Sequence, residues 1–243
     1  MKTSNKLLLT LALLVLGVFG VVHLTLYARL KAGHIVSVHS EAGWLPIYKG
    51  KAPRLVVLEG DINVKVIPSD SFLIQIQEDA HGKVSCRLME DSLIVRGDSL
   101  LVINPHGVFQ QYSDRPWITV HAPPHTDIRL NGVLAFLQGS RQPGKLNLQV
   151  QATYSQLWLG ETYGAGGTDY LNQYYDHVQV QAENCKLVLH QNAMIHKLTV
   201  RLDELSEIND QITTIDSINI QHTPHSRINL TGANLDKLIK TGQ

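Results

Sequence analysis

Between His177 and Ile239 the chain is a ladder of short apolar pairs, and the spacing of that ladder limits what the chain can fold into. Leu187/Leu189, Leu198/Val200, Ile218/Ile220 and Ile228/Leu230 are each two residues apart. A period of two places both members on one face of a strand. The rungs begin at nearly constant intervals: eleven residues from Leu187 to Leu198, then ten each to Ile208, Ile218, Ile228 and Leu238. One short strand therefore recurs after a turn of constant length, which describes a stacked β architecture.

The connectors separate two such architectures. A meander or β-sandwich reverses through tight Asn-Gly or Asp-Gly turns. Here the late connectors are Asp203–Glu207, Asp210–Thr214 and His222–Ser226, without glycine and suited to a bend. Two strands and two bends make a coil of about twenty residues, as in parallel β-helices. The expectation is an all-β chain, a parallel β-helix or solenoid, with the β-sandwich as alternative. The ladder is expected to end on a strand carrying Lys237 and Lys240, whose charges would blunt the open sheet edge.

Upstream, alternation recurs at Gly60–Val66, Phe72–Ile76, Val84–Leu88, Leu93–Val95, Trp117–His121, Ile128–Asn131, Leu146–Gln151 and Leu157–Leu159. Residues 104–114 break the pattern and read as an excursion. Residues 27–53 carry scattered Gly and Pro and read as a tether with one short strand at Ile35–Val38.

The amino-terminal end is of another kind. Leu7–Leu26 holds one ionisable residue, His23. Twenty helical residues at about 1.5 Å each span the roughly 30 Å hydrocarbon core. The run is too long for the apolar part of a signal peptide, and no small-x-small cleavage site follows. The expected organisation is a cytosolic tail at 1–6, a transmembrane helix at 7–26, the tether, and a folded domain at 54–243. Lys2 and Lys6 favour the short end inside, which puts the bulk of the chain in the periplasm of a bacterial inner membrane.

Lys+Arg and Asp+Glu both number 21, so the formal net charge is zero. No basic stripe exists to neutralise phosphates, which argues against nucleic acid as partner. A six-residue tail cannot carry a signalling domain.

Several motifs resemble those of the auto-transporter adhesin, head-GIN domain family of Bacteroidota envelopes. Gly60–Val66 (GDINVKV) resembles its early strand, and Leu93–Arg96 (LIVR) a later one. Ile228–Leu235 (INLTGANL) is similar to its repeated strand-Gly unit, with Ile128–Gly132 (IRLNG) a looser copy. The likeness runs from about Leu55 to Ile239, although most rungs between Val178 and Ile220 lack the repeat glycine. It implies an exported β-helix and brings no catalytic residues.

No chemical motif competes with that reading. His222/His225 and His121/His125 are interrupted by proline, which forbids the helical zinc-protease geometry. Cys86 and Cys185 share parity with apolar neighbours and are expected as two buried free thiols, too many coils apart to bridge. Asp203, Glu204, Glu207 and Asp210 read as a solvated bend. Gly160–Gly167 lacks the Lys-Ser/Thr of a phosphate loop. Asp91, Asp98 and Asp216 each open an Asp-Ser-apolar triplet resembling a Bacteroidota O-glycosylation signal, a match that chance readily supplies. No catalytic, metal or cofactor site is expected.

The remaining candidate is the segment 160–176, with four glycines and four tyrosines in seventeen residues. It reads as a projecting loop in which Tyr163, Tyr170, Tyr174 and Tyr175 offer rings and hydroxyls to a glycan or protein surface. The expected function is a membrane-anchored, non-enzymatic binding, adhesin-like or structural module of the cell envelope. The alternative is a carbohydrate-active β-helix enzyme.

Overall fold

In the computed structural model the described residues are 43–97, 117–144, 146–160 and 172–241. The expected membrane span at 7–26, the strand at Ile35–Val38 and the excursion at 104–114 lie outside them. Among the described residues no helix is long and apolar enough to cross a membrane.

The ladder is built of parallel strands. One column contains β8 (Asn147–Thr153), β10 (Gln173–Glu183), β12 (Ala193–Asp203) and β14 (Thr214–His222), each parallel to the next. A second contains β9 (Gln156–Leu159), β11 (Lys186–Leu189), β13 (Glu207–Asp210) and β15 (Arg227–Asn229), again all parallel. Leu148, Val178, Leu198 and Ile218 stack in register in the first column. Leu157, Leu187, Ile208 and Ile228 stack in the second. The ten-residue interval is thus an alternation between columns, and the vertical repeat is about twice that. The side chains pointing between the columns are sealed from water: Leu157, Leu187, Leu198, Ile208 and Ile218 are all 0% exposed. Burial of each such side chain contributes about 1.5–3 kcal/mol.

Both columns meet in β7 (Asp127–Leu137), whose first half pairs with β8 and whose second half pairs with β9. The long strand β2 (Leu55–Pro68) runs parallel beside β7, with a register break between Glu59 and Ile62. Beyond β2 the parallel order gives way to hairpin-like pairing. One side adds β5 (Ser92–Gly97), parallel, and then β4 (Val84–Met89), antiparallel. The other adds β6 (Ile118–Ala122), parallel, followed by antiparallel β3 (Phe72–Gln77) and β1 (Trp44–Gly50). Among the described residues the sheet is therefore mixed, with fifteen strands.

The first corner of each rung has a common backbone device. Glu59, Asn131, Thr153, Glu183 and Asp203 are in register. The next residue in each rung, Gly60, Gly132, Tyr154, Asn184 or Glu204, has positive φ. At Gly60 glycine is obligatory, since a Cβ there would lie 2.1 Å from the Gly97 carbonyl oxygen. Further along, the corner opens, and Tyr154, Asn184 and Glu204 take the same turn without glycine. That is why the later rungs repeat although they lack the glycine.

Three elements and one cysteine depart from the sequence expectations. Trp44–Gly50 is a paired strand, not tether, because Leu45, Ile47 and Tyr48 pack against the core. The segment expected to be a loop through residue 176 is strand from Gln173 onward. The last rung is the helix α1 (Gly232–Thr241), not a strand bearing Lys237 and Lys240. Leu235, Leu238 and Ile239 are spaced three and four apart, the helical period, and Leu238 packs on the core. Of the cysteines, both are free, but only Cys185 is fully buried and Cys86 is half-exposed.

Candidate binding face

Tyr175 and Tyr174 are the two members of the tyrosine set among the described residues; Tyr163 and Tyr170 lie outside them. Tyr175 is not available to a ligand. It is 1% exposed, donates its hydroxyl proton to the Leu137 carbonyl at 2.7 Å and accepts from the Gly160 backbone N–H at 2.9 Å. Burial pushes its phenol far above the ordinary range. Its role is to tie β7, β10 and the end of β9 together. Tyr174 is half-buried and its backbone bridges Ser140.

Asp210 also leaves the set of surface residues. It is buried at the second corner, where the chain leaves the second column, and its carboxylate accepts from Thr213 N at 2.7 Å, Thr231 N at 3.0 Å and Asn234 Nδ2 at 2.8 Å. Burial alone would raise its pKa, but these hydrogen bonds outweigh burial and hold the carboxyl below its usual range. Cys185 occupies the first corner beside Ser155 and Ser206. Its Sγ accepts from Ser155 N at 3.3 Å, and its own N–H donates to Ser206 Oγ at 3.2 Å. Burial raises its thiol pKa, as expected of a group packed in the core. His121 is held below the usual range by burial and by nearby Lys65. Among the described residues no three His, Cys, Asp or Glu side chains converge as a metal site.

What the strands do present outward is a regular polar face. Because side chains alternate, the residues between the buried rungs of the first column all point away from the core. Two rows result. One is Asp127, Gln149, Gln179, Thr199 and Asn219; the other is Arg129, Gln151, Gln181, Arg201 and Gln221. All are exposed or half-exposed. Neighbours within a row are about 4.8 Å apart, and the rows about 6.6 Å apart. Arg129 is fixed by Nε and Nη2 on Gln151 Oε1 at 3.2 and 3.1 Å, and Arg201 by Asp203 at 3.3 Å. Gln149, Gln179, Gln181, Asn219 and Gln221 make no side-chain hydrogen bond to any described residue.

At the β7 end the face drops into a cleft of about 330 Å³, lined by Arg54, Asp91, Ser92, Asp127, Arg129, Gln149 and Gln151 among others. The residues come together because β5, β2 and β7 start at the same level. Arg54 N donates to Asp91 O at 2.9 Å, and Asp127 N donates to Arg54 O at 3.0 Å. Sequence reasoning missed this face. Its signal was present in the polar residues between the apolar pairs, which acquire meaning only once the register is known.

No protein-family model matches the chain, so the head-GIN resemblance rests on its motifs alone. No curated protein matches it either. Solved structures with some likeness include a candidate adhesin from Bacteroides fragilis, with TM-score 0.42 and 10% identity over 78% of this chain and 97% of that one. Another is a candidate cell adhesion protein from Clostridium sporogenes, at 0.35 and 9% over 77% and 99%. A third is a candidate lipid-binding protein from Parabacteroides distasonis, at 0.35 and 8% over 78% and 94%.

Proposed function

We propose that this chain is a β-solenoid binding module of the cell envelope, anchored in the inner membrane by residues 7–26, whose polar face holds an extended glycan. The observation that carries the reading is the pair of in-register rows in which Gln149, Gln179, Gln181, Asn219 and Gln221 make no side-chain hydrogen bond to any described residue. A carboxamide offers two donors and an acceptor with two lone pairs, which matches vicinal hydroxyls. A polymer lying along the stack meets a fresh polar group at about every 4.8 Å. The sheet fixes the spacing of their backbones, so the cost of binding is confined to ordering the side chains. The role is display and retention, not turnover. The location rests on the apolar length of Leu7–Leu26.

The test replaces Gln151, Gln181 and Gln221 together by Ala and measures affinity for purified envelope polysaccharide. Each substitution is on the surface and costs stability within about 0.5 kcal/mol. Affinity is expected to fall at least tenfold, whereas Lys186→Ala with Arg227→Ala, in the other column, leaves it unchanged. Equal affinity of both variants removes the face from function. A reporter joined after Gln243 is expected to be active only outside the cytosol; activity inside removes the location.

A further inference from the structure

The cleft at the head of β2, β5 and β7 has a composition unlike the rest of the face. The rows beyond it are mainly neutral amides and hydroxyls. The cleft brings two guanidinium groups, Arg54 and Arg129, and two carboxylates, Asp91 and Asp127, around one space of about 330 Å³. That volume lies at the lower end of the range for small-molecule sites.

These four make no ion pair with one another or with any described residue. Arg129 is turned along the sheet by its two bonds to Gln151 Oε1. Arg54 is pinned through its backbone, between the Asp91 carbonyl on one side and the Asp127 N–H on the other. Strand register thus brings the four residues to one cleft.

We propose that this cleft binds a compact zwitterion, with an ammonium between Asp91 and Asp127 and a carboxylate or phosphate on Arg54 and Arg129. The proposal rests on the reading of this face as a binding surface and names the group recognised at its end. A ligand of a single charge would satisfy one pair and face repulsion or bare charge from the other. A neutral sugar would reach Gln149 and Gln151 and leave all four charges unmatched. Only a ligand carrying both signs complements the whole lining. Planar guanidinium groups suit carboxylate and phosphate oxygens alike.

The experiment is a titration of the chain, isotope-labelled for amide resonances, with O-phosphoethanolamine, ethanolamine and inorganic phosphate. The zwitterion is expected to bind at least tenfold more tightly than either control and to move the amide signals of Arg54, Ser92, Asp127 and Arg129. The double variant Asp91→Asn, Asp127→Asn is expected to lose at least fivefold for the zwitterion and to keep or improve phosphate binding. Should the double variant lose its strand signature, Asp91→Asn alone, at an exposed position, is read in the same way. Equal affinities for the three probes, absence of zwitterion binding, or shifts elsewhere overturn the proposal. Polysaccharide binding measured in parallel separates the outcomes. Zwitterion binding without polymer binding sinks the proposed function and leaves this site standing; the reverse sinks this site alone.

Discussion

At the scale of single residues the second corner is held by Gly160 and Tyr175. Gly160 has φ +86°, and a Cβ there would stand 2.7 Å from both Ala193 N and Ala193 Cβ. The strained conformation and the close backbone approach act together. Gly160→Ala is expected to cost upwards of about 2 kcal/mol. Tyr175→Phe keeps the ring but leaves the Gly160 N–H and the Leu137 carbonyl without the hydroxyl, for about 1–3 kcal/mol. Denaturant unfolding of both variants checks this; a change under about 0.5 kcal/mol in either would mean the corner is looser than its contacts imply. The same residue shows what the sequence concealed. Tyr175 reads as one of four loop tyrosines because glycines and aromatics crowd residues 160–176, and composition does not reveal parity. Only the register, Tyr175 opposite Ile195, turns its ring inward.

At the scale of elements the stack ends in α1, not in an exposed strand. Thr231 opens the helix, its carbonyl accepting from Asn234 N at 3.0 Å and Leu235 N at 2.9 Å. Asn234 Nδ2 reaches back to Asp210 and, at 2.7 Å, to the Thr213 carbonyl, and Lys237 Nζ donates to the Ile215 carbonyl. The helix thus engages backbone groups near the end of the last rung, a cap that limits edge-to-edge association. In the sequence, the two-residue rhythm of Ile228 and Leu230 runs straight into Leu238 at the same ten-residue interval, so the change of period was hidden. Asp210 was likewise legible only as one acid among several. Its folded pKa is depressed, so its contribution to stability is complete above the ordinary carboxylate value of about 4 and is lost as pH falls through the lower folded value. Asp210→Asn is therefore expected to cost about 1–3 kcal/mol at neutral pH and to flatten the acid limb of stability against pH. Thermal unfolding between about pH 2 and 7 reads both; parallel acid limbs in parent and variant would show that the carboxylate does not hold the cap.

At the scale of the whole molecule the apolar ladder was the most legible feature, since periods of two and ten are fixed by which side chains must be buried. The N-terminal strands were less so. β2, β3 and β6 alternate as clearly as the later rungs, but nothing local states that β3 pairs antiparallel while β6 pairs parallel. Long-range partner choice is decided by packing, not by propensity. The repeat allows a sharper test than any point substitution. Removing the twenty residues Val178–Lys197 joins His177 to Leu198. Since His177 is opposite Lys197 and Val178 opposite Leu198, the join reproduces an existing rung. Leu148 would then face Leu198 and Leu157 would face Ile208, so both columns and the cap survive one coil shorter. Removing only the ten residues Val188–Lys197 joins Leu187 to Leu198 and sends first-column strand into the second column, with every later corner misplaced. In a stack stabilised by neighbouring rungs, the first deletion is expected to fold cooperatively with reduced stability, and the second to give no cooperative transition. Circular dichroism and urea unfolding distinguish them. Equal behaviour of the two deletions would mean that the coils are not interchangeable units and that the solenoid reading is wrong.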